Sequence, residues 1–442
     1  MRLRRPGGLW RHRDFLNLWT AETISQVGSQ VSQLALPLVA VLVLEATAFQ
    51  VALLGVVEFA PFILVSLPAG VWVDRLRRKP ILVVADLGRA VLLASIPLAH
   101  WAGALTIWQL YGVGFCVGVL TVFFDVSYQS YLPSLVSRDR LVEGNAKLDV
   151  SRSGAQLVGP GLAGILVEAL TAPVAVLVDA ISFLASGLFL FRIRQAEEAP
   201  ARVERAAGPS MKAEVMEGLR YVLGHRYLRW IAASTATFNF FSNVIFSVFL
   251  VFAVRELGLR PGVIGLVFAI SSVGYLLGAL VATPLARRIG VGPAIVVGAA
   301  CSVSLLLMPL APESSPIPFV IAAQAIAGLG IPIYNITQVS FRQAITPTRL
   351  QGRMNSVMRF VVWGVIPLGS LLGGALATWF GLRTAIWVGA AGMSLAVLPV
   401  LLSPVRTLRE MPEPVEEPSV ADAEAAGGVV PAPAGAAPSA AD

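Results

Sequence analysis

The chain has 442 residues, of which 56% are hydrophobic and 13% charged, and its formal net charge at pH 7 is +7. This charged fraction is about half that of a soluble globular domain, so the composition predicts an integral membrane protein. The excess of basic residues does not indicate nucleic-acid binding, because these residues lie in short segments between apolar stretches. Cys116 and Cys301 lie in separate apolar segments and the three histidines are not spaced like ligands, so we expect no disulfide framework, metal site or cofactor.

Twelve apolar segments are long enough to span a bilayer, which takes about 20 residues of helix. The predicted spans are residues 15–43, 50–73, 80–101, 106–129, 146–169, 172–193, 228–254, 262–286, 292–311, 316–339, 352–378 and 382–402. The loops predicted to lie outside hold only Arg255, Arg260 and Arg383 of the 33 basic residues. Because basic loops resist translocation, both termini are expected in the cytoplasm.

The longest break between spans, residues 194–227, divides them six and six. We predict an N-terminal bundle over 1–193, a cytoplasmic linker over 194–227, a C-terminal bundle over 228–402 and a disordered cytoplasmic tail over 403–442. Within the linker, apolar residues from Met211 to Val222 recur at helical spacing, which predicts an amphipathic helix on the inner membrane surface.

The two halves share a spaced series of glycines. In each half an asparagine at the inner end of the fifth span is followed by glycines at offsets of 9, 14 and 19 residues. The two series are Asn145, Gly154, Gly159 and Gly164, and Asn355, Gly364, Gly369 and Gly374. Small residues are common in membrane helices, so the repeat supports a duplicated architecture without proving it.

A short basic loop separates the second and third spans. It reads Gly-Val-Trp-Val-Asp-Arg-Leu-Arg-Arg-Lys-Pro over residues 70–80. This spacing resembles the G-x-x-x-D-R-x-G-R-R loop of the major facilitator superfamily, with an arginine in place of the second glycine. The resemblance implies an all-α membrane fold of twelve helices in two pseudo-symmetric six-helix bundles. The gate residues that it implies are Gly70, Asp74, Arg75, Arg78 and Lys79.

In that superfamily the aspartate of this loop caps the N-terminus of helix 11, where exposed amides and the helix dipole attract an anion. The resemblance therefore implies that Asp74 holds the inner gate shut in the outward-facing state. The basic residues after it would bind nearby carboxylates or anionic lipid head groups.

The fifth span carries Gly154, Gly159, Pro160 and Gly164. Small residues at this spacing allow close helix packing, and the proline bends the helix. The stretch also resembles the G-x-x-x-G-P-x-x-G-G motif of superfamily exporters that work as antiporters, with alanine at two of the glycines. This resemblance favours export over import. Four further segments also resemble bacterial superfamily exporters and are most similar to the macrolide and siderophore efflux group: Leu-Trp-Thr-Ala-Glu over residues 18–22, Phe-Phe-Asp over 123–125, Tyr-Leu-Pro over 131–133 and Leu-Val-Glu-Gly-Asn-Ala over 141–146.

Polar residues recur at steps of three or four along spans 1, 4, 7 and 10, the helices that line the central cavity in the superfamily. Such residues can form hydrogen bonds between helices, or they can line a water-filled substrate path. Four stripes on these four helices favour the substrate path. The candidate substrate-binding residues are Gln26, Ser29, Gln33, Asn239, Asn243, Phe246, Tyr334, Asn335 and Gln338.

Ionisable residues inside spans are costly, about 2.5–3.5 kcal/mol each at the helix centre on insertion scales, so they usually face protein or water. Asp86 precedes Arg89 by three residues, and Asp149 precedes Arg152 by three. Each pair is predicted to close on its own helix as a gate or structural ion pair.

Glu58 lies nearest the middle of the bilayer and has no opposite charge within one helical turn. Removal from water disfavours the charged form of such a carboxyl, which suits reversible protonation. Glu22 and Asp125 are alternative proton-coupling residues nearer the cytoplasmic mouth. Each of the three could instead be a permanently protonated hydrogen-bond donor.

Together these features predict a secondary transporter, a proton-coupled antiporter that exports a drug-like or secondary-metabolite molecule across the inner (plasma) membrane. The expected partners are the small-molecule substrate, protons and the lipid bilayer, and the expected state is a monomer. The sequence G-x-x-x-x-G-K-[ST] is absent, so ATP-driven transport is not expected, and no residue cluster suggests an enzyme. An importer or facilitator, and a non-transporting membrane receptor on the same fold, stay open as alternatives.

Overall fold

The computed structural model describes residues 9–73, 76–137, 140–195 and 211–410, and these residues form helices joined by short loops. The N-terminal half contains α1 (Arg13–Leu42), α2 (Ala48–Leu64), α3 (Ser66–Val73), α4 (Arg78–Trp101), α5 (Ile107–Leu135), α6 (Leu141–Leu170) and α7 (Ala172–Phe191). The rest of the described chain contains α8 (Met211–Gly224), α9 (Leu228–Arg255), α10 (Pro261–Ile289), α11 (Val291–Ala300), α12 (Pro316–Ala344), α13 (Thr348–Phe380), α14 (Leu382–Leu395) and α15 (Val397–Leu401).

These helices provide the twelve predicted spans. Nine segments of the described chain are long and apolar enough to cross a membrane, and α14 and α15 together count as one of them. The helix α1 has 30 residues and forms the first span. The two remaining spans contain the shorter apolar helices Ala48–Leu64 and Val291–Leu307.

Three spans are interrupted, which the hydropathy pattern does not predict. The second span breaks at Val65, four residues after Pro61, whose ring removes a backbone donor from the helix. The ninth span continues from α11 as a 3-10 helix over Cys301–Leu307. The twelfth breaks at Ala396, whose carbonyl accepts a hydrogen bond of 2.7 Å from the Ser234 hydroxyl of α9.

The two halves have equivalent internal packing and meet through two equivalent pairs of helices. In the N-terminal bundle α1 packs on α6 and α7, and in the C-terminal bundle α9 packs on α13 and α14. Between the bundles, α2 packs on α13 and α6 packs on α10. We call the face that carries the connection from α7 to α8 the inner face, and the opposite face the outer face.

The apolar core shows that the bundles are joined at the outer face and separate at the inner face. One large cluster of buried residues near the outer face contains members from both bundles, such as Leu38, Val167, Phe252 and Ile264. Near the inner face the described residues form two separate clusters. One belongs to the N-terminal bundle and the other to the C-terminal bundle.

Polar contacts also join the bundles at the outer face. The Arg255 guanidinium donates a hydrogen bond of 2.8 Å to the carbonyl of Ala46, and the Gly262 amide donates one of 2.7 Å to the Glu168 carboxylate. The arrangement is therefore closed toward the outside and open toward the inside.

The linker helix α8 occupies the stretch predicted to be amphipathic. Its Glu217 carboxylate lies 2.7 Å from a guanidinium nitrogen of Arg353, near the inner end of α13. Gly218 has the Arg353 backbone beside it, at a distance that leaves little room for a side chain. We conclude that α8 packs on α13, and its contact with the membrane surface stays a prediction. Residues 196–210 lie outside the described residues.

The tail was predicted to be disordered from residue 403, but its first part is folded. Pro404–Thr407 form a 3-10 helix, Val405 is buried, and the Gly292 amide donates a hydrogen bond of 2.8 Å to the Leu408 carbonyl. The first amides of a helix have no partner within it, so the tail satisfies a donor at the start of α11. The predicted boundary at 402 is thus too early; residues 411–442 lie outside the described residues.

Candidate functional site

A cavity of about 510 Å³ lies in the inner part of the C-terminal bundle. It is bounded by α9, α11, α12 and α13 and by Ala396, the residue at which the last span breaks. Its polar, charged and aromatic lining residues are Ser234, Thr235, Phe238, Asn239, Tyr334, Asn335, Gln338, Arg342, Asn355, Arg359 and Trp363.

Four of the candidate substrate-binding residues meet in this cavity: Asn239, Tyr334, Asn335 and Gln338. The Tyr334 hydroxyl is hydrogen-bonded to the Thr235 hydroxyl at 2.8 Å, which joins α12 to α9. Gln338 is 3% exposed, and its side-chain oxygen has no hydrogen-bond partner in the described part of the chain. The amides and aromatic rings therefore form one wall that can contact both the polar and the apolar parts of a small molecule.

The other five candidates lie elsewhere. Asn243 is one turn further along α9, where its amide donates a hydrogen bond of 2.8 Å to the Asn239 carbonyl. Phe246 follows on the same helix face and is 57% exposed, but it does not line the cavity. Ser29 and Gln33 lie on α1 of the N-terminal bundle, the first partly exposed and the second exposed.

Gln26 belongs to the polar stripe of α1 but forms a hydrogen bond within that helix. Its amide donates a hydrogen bond of 2.8 Å to the Glu22 carboxylate on the same helix. This bond uses a donor that would otherwise be available to a substrate. A role of Gln26 in substrate binding stays a prediction.

Asn355, Arg359 and Trp363 line the cavity from α13 and are not among the residues predicted from the sequence. They recur at steps of four residues, so they occupy one face of that helix. A search for polar stripes on the eleventh span would have found them. Arg342 of α12 also lines the cavity and is not among the residues predicted from the sequence.

The N-terminal bundle contains a group of interacting charged residues. Glu22 is 3% exposed, and one of its carboxylate oxygens lies 3.9 Å from a guanidinium nitrogen of Arg152. Asp125 interacts electrostatically with Glu22, Arg89 and Arg152. Glu22 and Asp125, the two alternative proton sites, therefore both interact with basic groups on neighbouring helices.

The predicted ion pair between Asp149 and Arg152 is wrong. Arg152 faces α1 and pairs with Glu22, whereas Asp149 is exposed and forms no ion pair within the described residues. The spacing of three residues permits contact within one helix, but the buried carboxylate on the adjacent helix has no water to stabilise its charge. The Gln26 amide at 2.8 Å and the Arg152 guanidinium at 3.9 Å supply that stabilisation.

The predicted pair between Asp86 and Arg89 is confirmed. Both residues are buried, and a guanidinium nitrogen of Arg89 contacts an Asp86 carboxylate oxygen. The same guanidinium lies 4.4 Å from the ring centre of Phe124 and 4.1 Å from that of Phe183. Enclosure between two rings favours the structural interpretation of this pair over a gate that opens to water.

Glu58 faces α5 from the middle of α2. A Cβ atom on Gly114 would lie 2.9 Å from the Glu58 Cγ, so this glycine makes room for the carboxyl side chain. One carboxyl oxygen is buried with no hydrogen-bond partner in the part of the chain that the structure describes. Glu58 does not line the C-terminal cavity.

The basic loop is described only in part, because Asp74 and Arg75 lie outside the described residues. Gly70 is partly exposed with open space around it, and Arg78 begins α4. The Lys79 ammonium donates a hydrogen bond to the Ile193 carbonyl and lies 5.7 Å from the ring centre of Phe191. The end of the loop is thereby held against the end of α7.

The repeated glycines have matching environments in the two halves. A Cβ on Gly164 would lie 2.7 Å from the Gly265 Cα of α10, and one on Gly374 would lie 2.7 Å from the Ala52 Cβ of α2. The carbonyl of Pro160 contributes to the first crossing, because it lies 2.8 Å from the position of a Cβ on Gly265. The third glycine of each series thus permits close contact with the opposite bundle.

The other two glycines of each series also correspond. Gly159 lies against Gln30 of α1, and Gly369 lies against Phe240 and Asn243 of α9, so each contacts the first helix of its own bundle. Gly154 and Gly364 have open space where a side chain would stand. The repeat predicted from the sequence is a structural repeat.

Two bundles of membrane-spanning helices share an apolar core at the outer face, form separate clusters of described residues at the inner face, and hold a polar cavity in the inner half of the second bundle. These features define a membrane transport protein. Residues 8–427 match the family model described as transmembrane secretion effector. The chain belongs to this family, a branch of the major facilitator superfamily, and it is a transporter and not an enzyme.

Named relatives cover most of the chain. The multidrug efflux pump Tap of Mycolicibacterium fortuitum is 27% identical over 382 residues, which are 82% of this chain and 89% of that protein. Macrolide efflux protein A of Streptococcus pyogenes is 21% identical over 401 residues, 90% of this chain and 97% of that protein. A solved bacterial homologue of the iron transporter ferroportin, in an inward-facing state, has a TM-score of 0.69 at 18% identity and covers 88% of this chain and 98% of its own.

Proposed function

We propose that this protein exports amphipathic drug-like or secondary-metabolite molecules across the plasma membrane in exchange for protons, and that it works as a monomer. The observation that carries this proposal is the C-terminal cavity. It combines amide groups with Phe238 and Trp363 and lies on the inner face, where a molecule leaving the cytoplasm would enter. The relatives named as multidrug and macrolide efflux pumps support export over import.

The arrangement of the bundles supports alternating access. The outer contacts between α6 and α10 and between α2 and α13 close one side while the inner clusters stay apart. Transporters of this architecture release substrate by rocking one bundle against the other around a central site. The described state is the one that loads substrate from inside.

Glu58 is the proposed proton site. A coupling carboxyl must alternate between two protonation states, so a permanent basic partner would oppose its function. Glu22 lies beside Arg152, and Asp125 interacts with both Arg89 and Arg152. No basic partner of Glu58 is found within the described residues, which distinguishes it from the two alternatives.

The test compares Glu58→Gln with the wild type in inverted membrane vesicles, with a radiolabelled macrolide as the probe. The variant should lose uptake driven by a pH gradient and keep exchange of labelled for unlabelled macrolide at equal pH, since only proton coupling is removed. Glu313→Gln is the matched control, because Glu313 is exposed in an outer loop.

Gradient-driven uptake by Glu58→Gln at the wild-type rate would move the proton site to Glu22 or Asp125. Movement of macrolide out of the inverted vesicles by the wild type, which corresponds to movement into the cell, would favour an importer. Specific macrolide binding without any movement would favour a receptor.

The gate role of Asp74 stays a proposal that rests on the resemblance of the basic loop. Asp74→Asn should lower the transport rate while expression and membrane insertion stay near wild type. Transport by this variant at the wild-type rate would contradict the gate role.

A further inference from the structure

Among the described residues, the cavity in the C-terminal bundle is lined by two arginines and by no aspartate or glutamate. We propose that it recognises an organic anion, an amphipathic aromatic molecule that carries a carboxylate, sulfonate or phenolate group. This inference rests on the proposed export function and specifies the substrate class that the same site would take.

The two arginines have no carboxylate partner among the residues that the structure describes. Neither Arg342 nor Arg359 forms an ion pair within the described residues, although other arginines of this bundle do, such as Arg353 with Glu217 and Arg383 with Glu256. The Nε atom of Arg342 is buried and has no hydrogen-bond partner in the described part of the chain. An unpaired guanidinium donor at a cavity wall is suited to a ligand that brings its own acceptor.

The geometry around Arg359 adds an aromatic surface. Arg359 lies eleven residues after Thr348, the first residue of α13, so it is about 16 Å along that helix from its inner end. Its guanidinium carbon is 5.3 Å from the ring centre of Trp363, one helical turn deeper. An aromatic acid could stack on Trp363 while its oxygens accept hydrogen bonds from the guanidinium.

The described acidic residues of the N-terminal bundle lie outside the lining of this cavity. Two buried carboxylates of that bundle have basic partners, Glu22 with Arg152 and Asp86 with Arg89, whereas Glu58 and the buried Asp179 form no ion pair within the described residues. In the first pair the carboxylate side chain is 4% exposed and the guanidinium side chain 48% exposed, so the arginine is the accessible member. Asp125 is partly exposed and interacts electrostatically with Arg89 and Arg152.

The charge of the substrate determines how much net charge crosses the membrane in each transport cycle. If one proton enters for each molecule that leaves, export of a monovalent anion moves two positive charges inward, export of a neutral molecule moves one, and export of a monovalent cation moves none. A membrane potential that is negative inside would then accelerate anion export most strongly.

The probes are fluorescein, an anion at neutral pH, and rhodamine 123, a cation with the same xanthene ring system. Binding is measured by the fluorescence anisotropy of each dye with the full chain in nanodiscs. Fluorescein should bind about tenfold more tightly than rhodamine 123, because one hydrogen bond to a charged group is worth about that factor. Arg342→Gln and Arg359→Gln should each weaken fluorescein binding by about tenfold and change rhodamine 123 binding less than about twofold.

Arg288→Gln is the matched control, since Arg288 is exposed at the inner end of α10 and does not line the cavity. Thermal melting of each variant confirms that it is folded. Equal or tighter binding of rhodamine 123, equal losses for both dyes, or no fluorescein binding to folded protein would overturn the inference.

Transport measurements on the same protein distinguish a failure of the anion site from a failure of proton-coupled export. Fluorescein that binds through the arginines but is not moved by a pH gradient would contradict proton-coupled export and leave the anion site standing. Gradient-driven transport of rhodamine 123 that is insensitive to both arginine substitutions would support export and contradict the anion site.

Discussion

Arg89 shows how this protein keeps a charge inside an apolar bundle. Its guanidinium contacts the Asp86 carboxylate, and the rings of Phe124 and Phe183 cover its faces. The pair and the rings come from α4, α5 and α7, so one ion pair connects three helices. Desolvation makes such a pair a weak source of net stability, but loss of one partner leaves the other charge buried alone.

Arg89→Met should therefore lower the free energy of unfolding by about 3–5 kcal/mol, because Asp86 would stay buried without a counter-charge. The double variant Arg89→Met, Asp86→Leu should recover most of that loss, since no charge is then left unpaired. The measurement is the midpoint of thermal unfolding in detergent, with Arg288→Met as the exposed control. A single variant as stable as the wild type, or a double variant less stable than the single one, would contradict this account.

The charged residues also show where sequence reasoning succeeds and where it stops. Asp86 and Arg89 pair as their spacing predicts, because both point into the same buried region. Asp149 and Arg152 have the same spacing and do not pair, because Glu22 on α1 is the nearer buried charge. Spacing along one helix gives the possible partners, and only the packing of neighbouring helices decides between them.

At the scale of the helices, hydropathy predicted every span, while the breaks depend on tertiary contacts. The break at Ala396 accompanies a hydrogen bond from Ser234 on another helix, which no local pattern encodes. The cavity wall on α13 was missed for a related reason. The superfamily resemblance implies a cavity lined by spans 1, 4, 7 and 10, whereas the polar stripe that contains Arg359 lies on span 11.

The crossing of α6 and α10 gives a prediction at this scale. Gly164→Val places a side chain where the Gly265 backbone now stands, so the outer contact should open. Spin labels at positions 104 and 313, in outer loops of different bundles, should then show a longer distance in double electron–electron resonance. The background for labelling is Cys116→Ser, Cys301→Ser.

The repeat supplies the controls for this prediction. Gly374→Val should lengthen the same distance, because Gly374 makes the equivalent crossing with α2. Gly154→Val and Gly364→Val should leave it unchanged, since both positions have open space around them. Unchanged distances in both crossing variants would show that the outer contact does not depend on these glycines.

The whole molecule is asymmetric across the membrane in charge and in packing. Basic residues concentrate at the inner face, and the three arginines of the outer loops are bonded to other groups. Arg255 donates to the Ala46 carbonyl, Arg260 lies 3.9 Å from the Glu168 carboxylate, and Arg383 contacts Glu256. These three arginines are the exceptions to the concentration of basic residues at the inner face, and each interacts with a nearby carbonyl or carboxylate group.

We therefore expect both termini to face the cytoplasm. Alkaline phosphatase, which is active only outside the inner membrane, should give no activity when fused after residue 442, whereas a fusion after residue 313 should be active. Green fluorescent protein fused after residue 442 should fluoresce, which would confirm that a chain with a fusion at this position is produced. Strong phosphatase activity at residue 442 would contradict the twelve-span topology.

The shared apolar core at the outer face has a consequence for a protein made as two separate chains. Lipid tails are as apolar as leucine, so helices in a bilayer associate through close packing and not through exclusion of water. The glycine crossings of α6 with α10 and of α13 with α2 provide such packing without any covalent link between the bundles. Fragments 1–195 and 211–442, produced together in one cell, should therefore find each other in the membrane and restore export, while neither fragment does so alone.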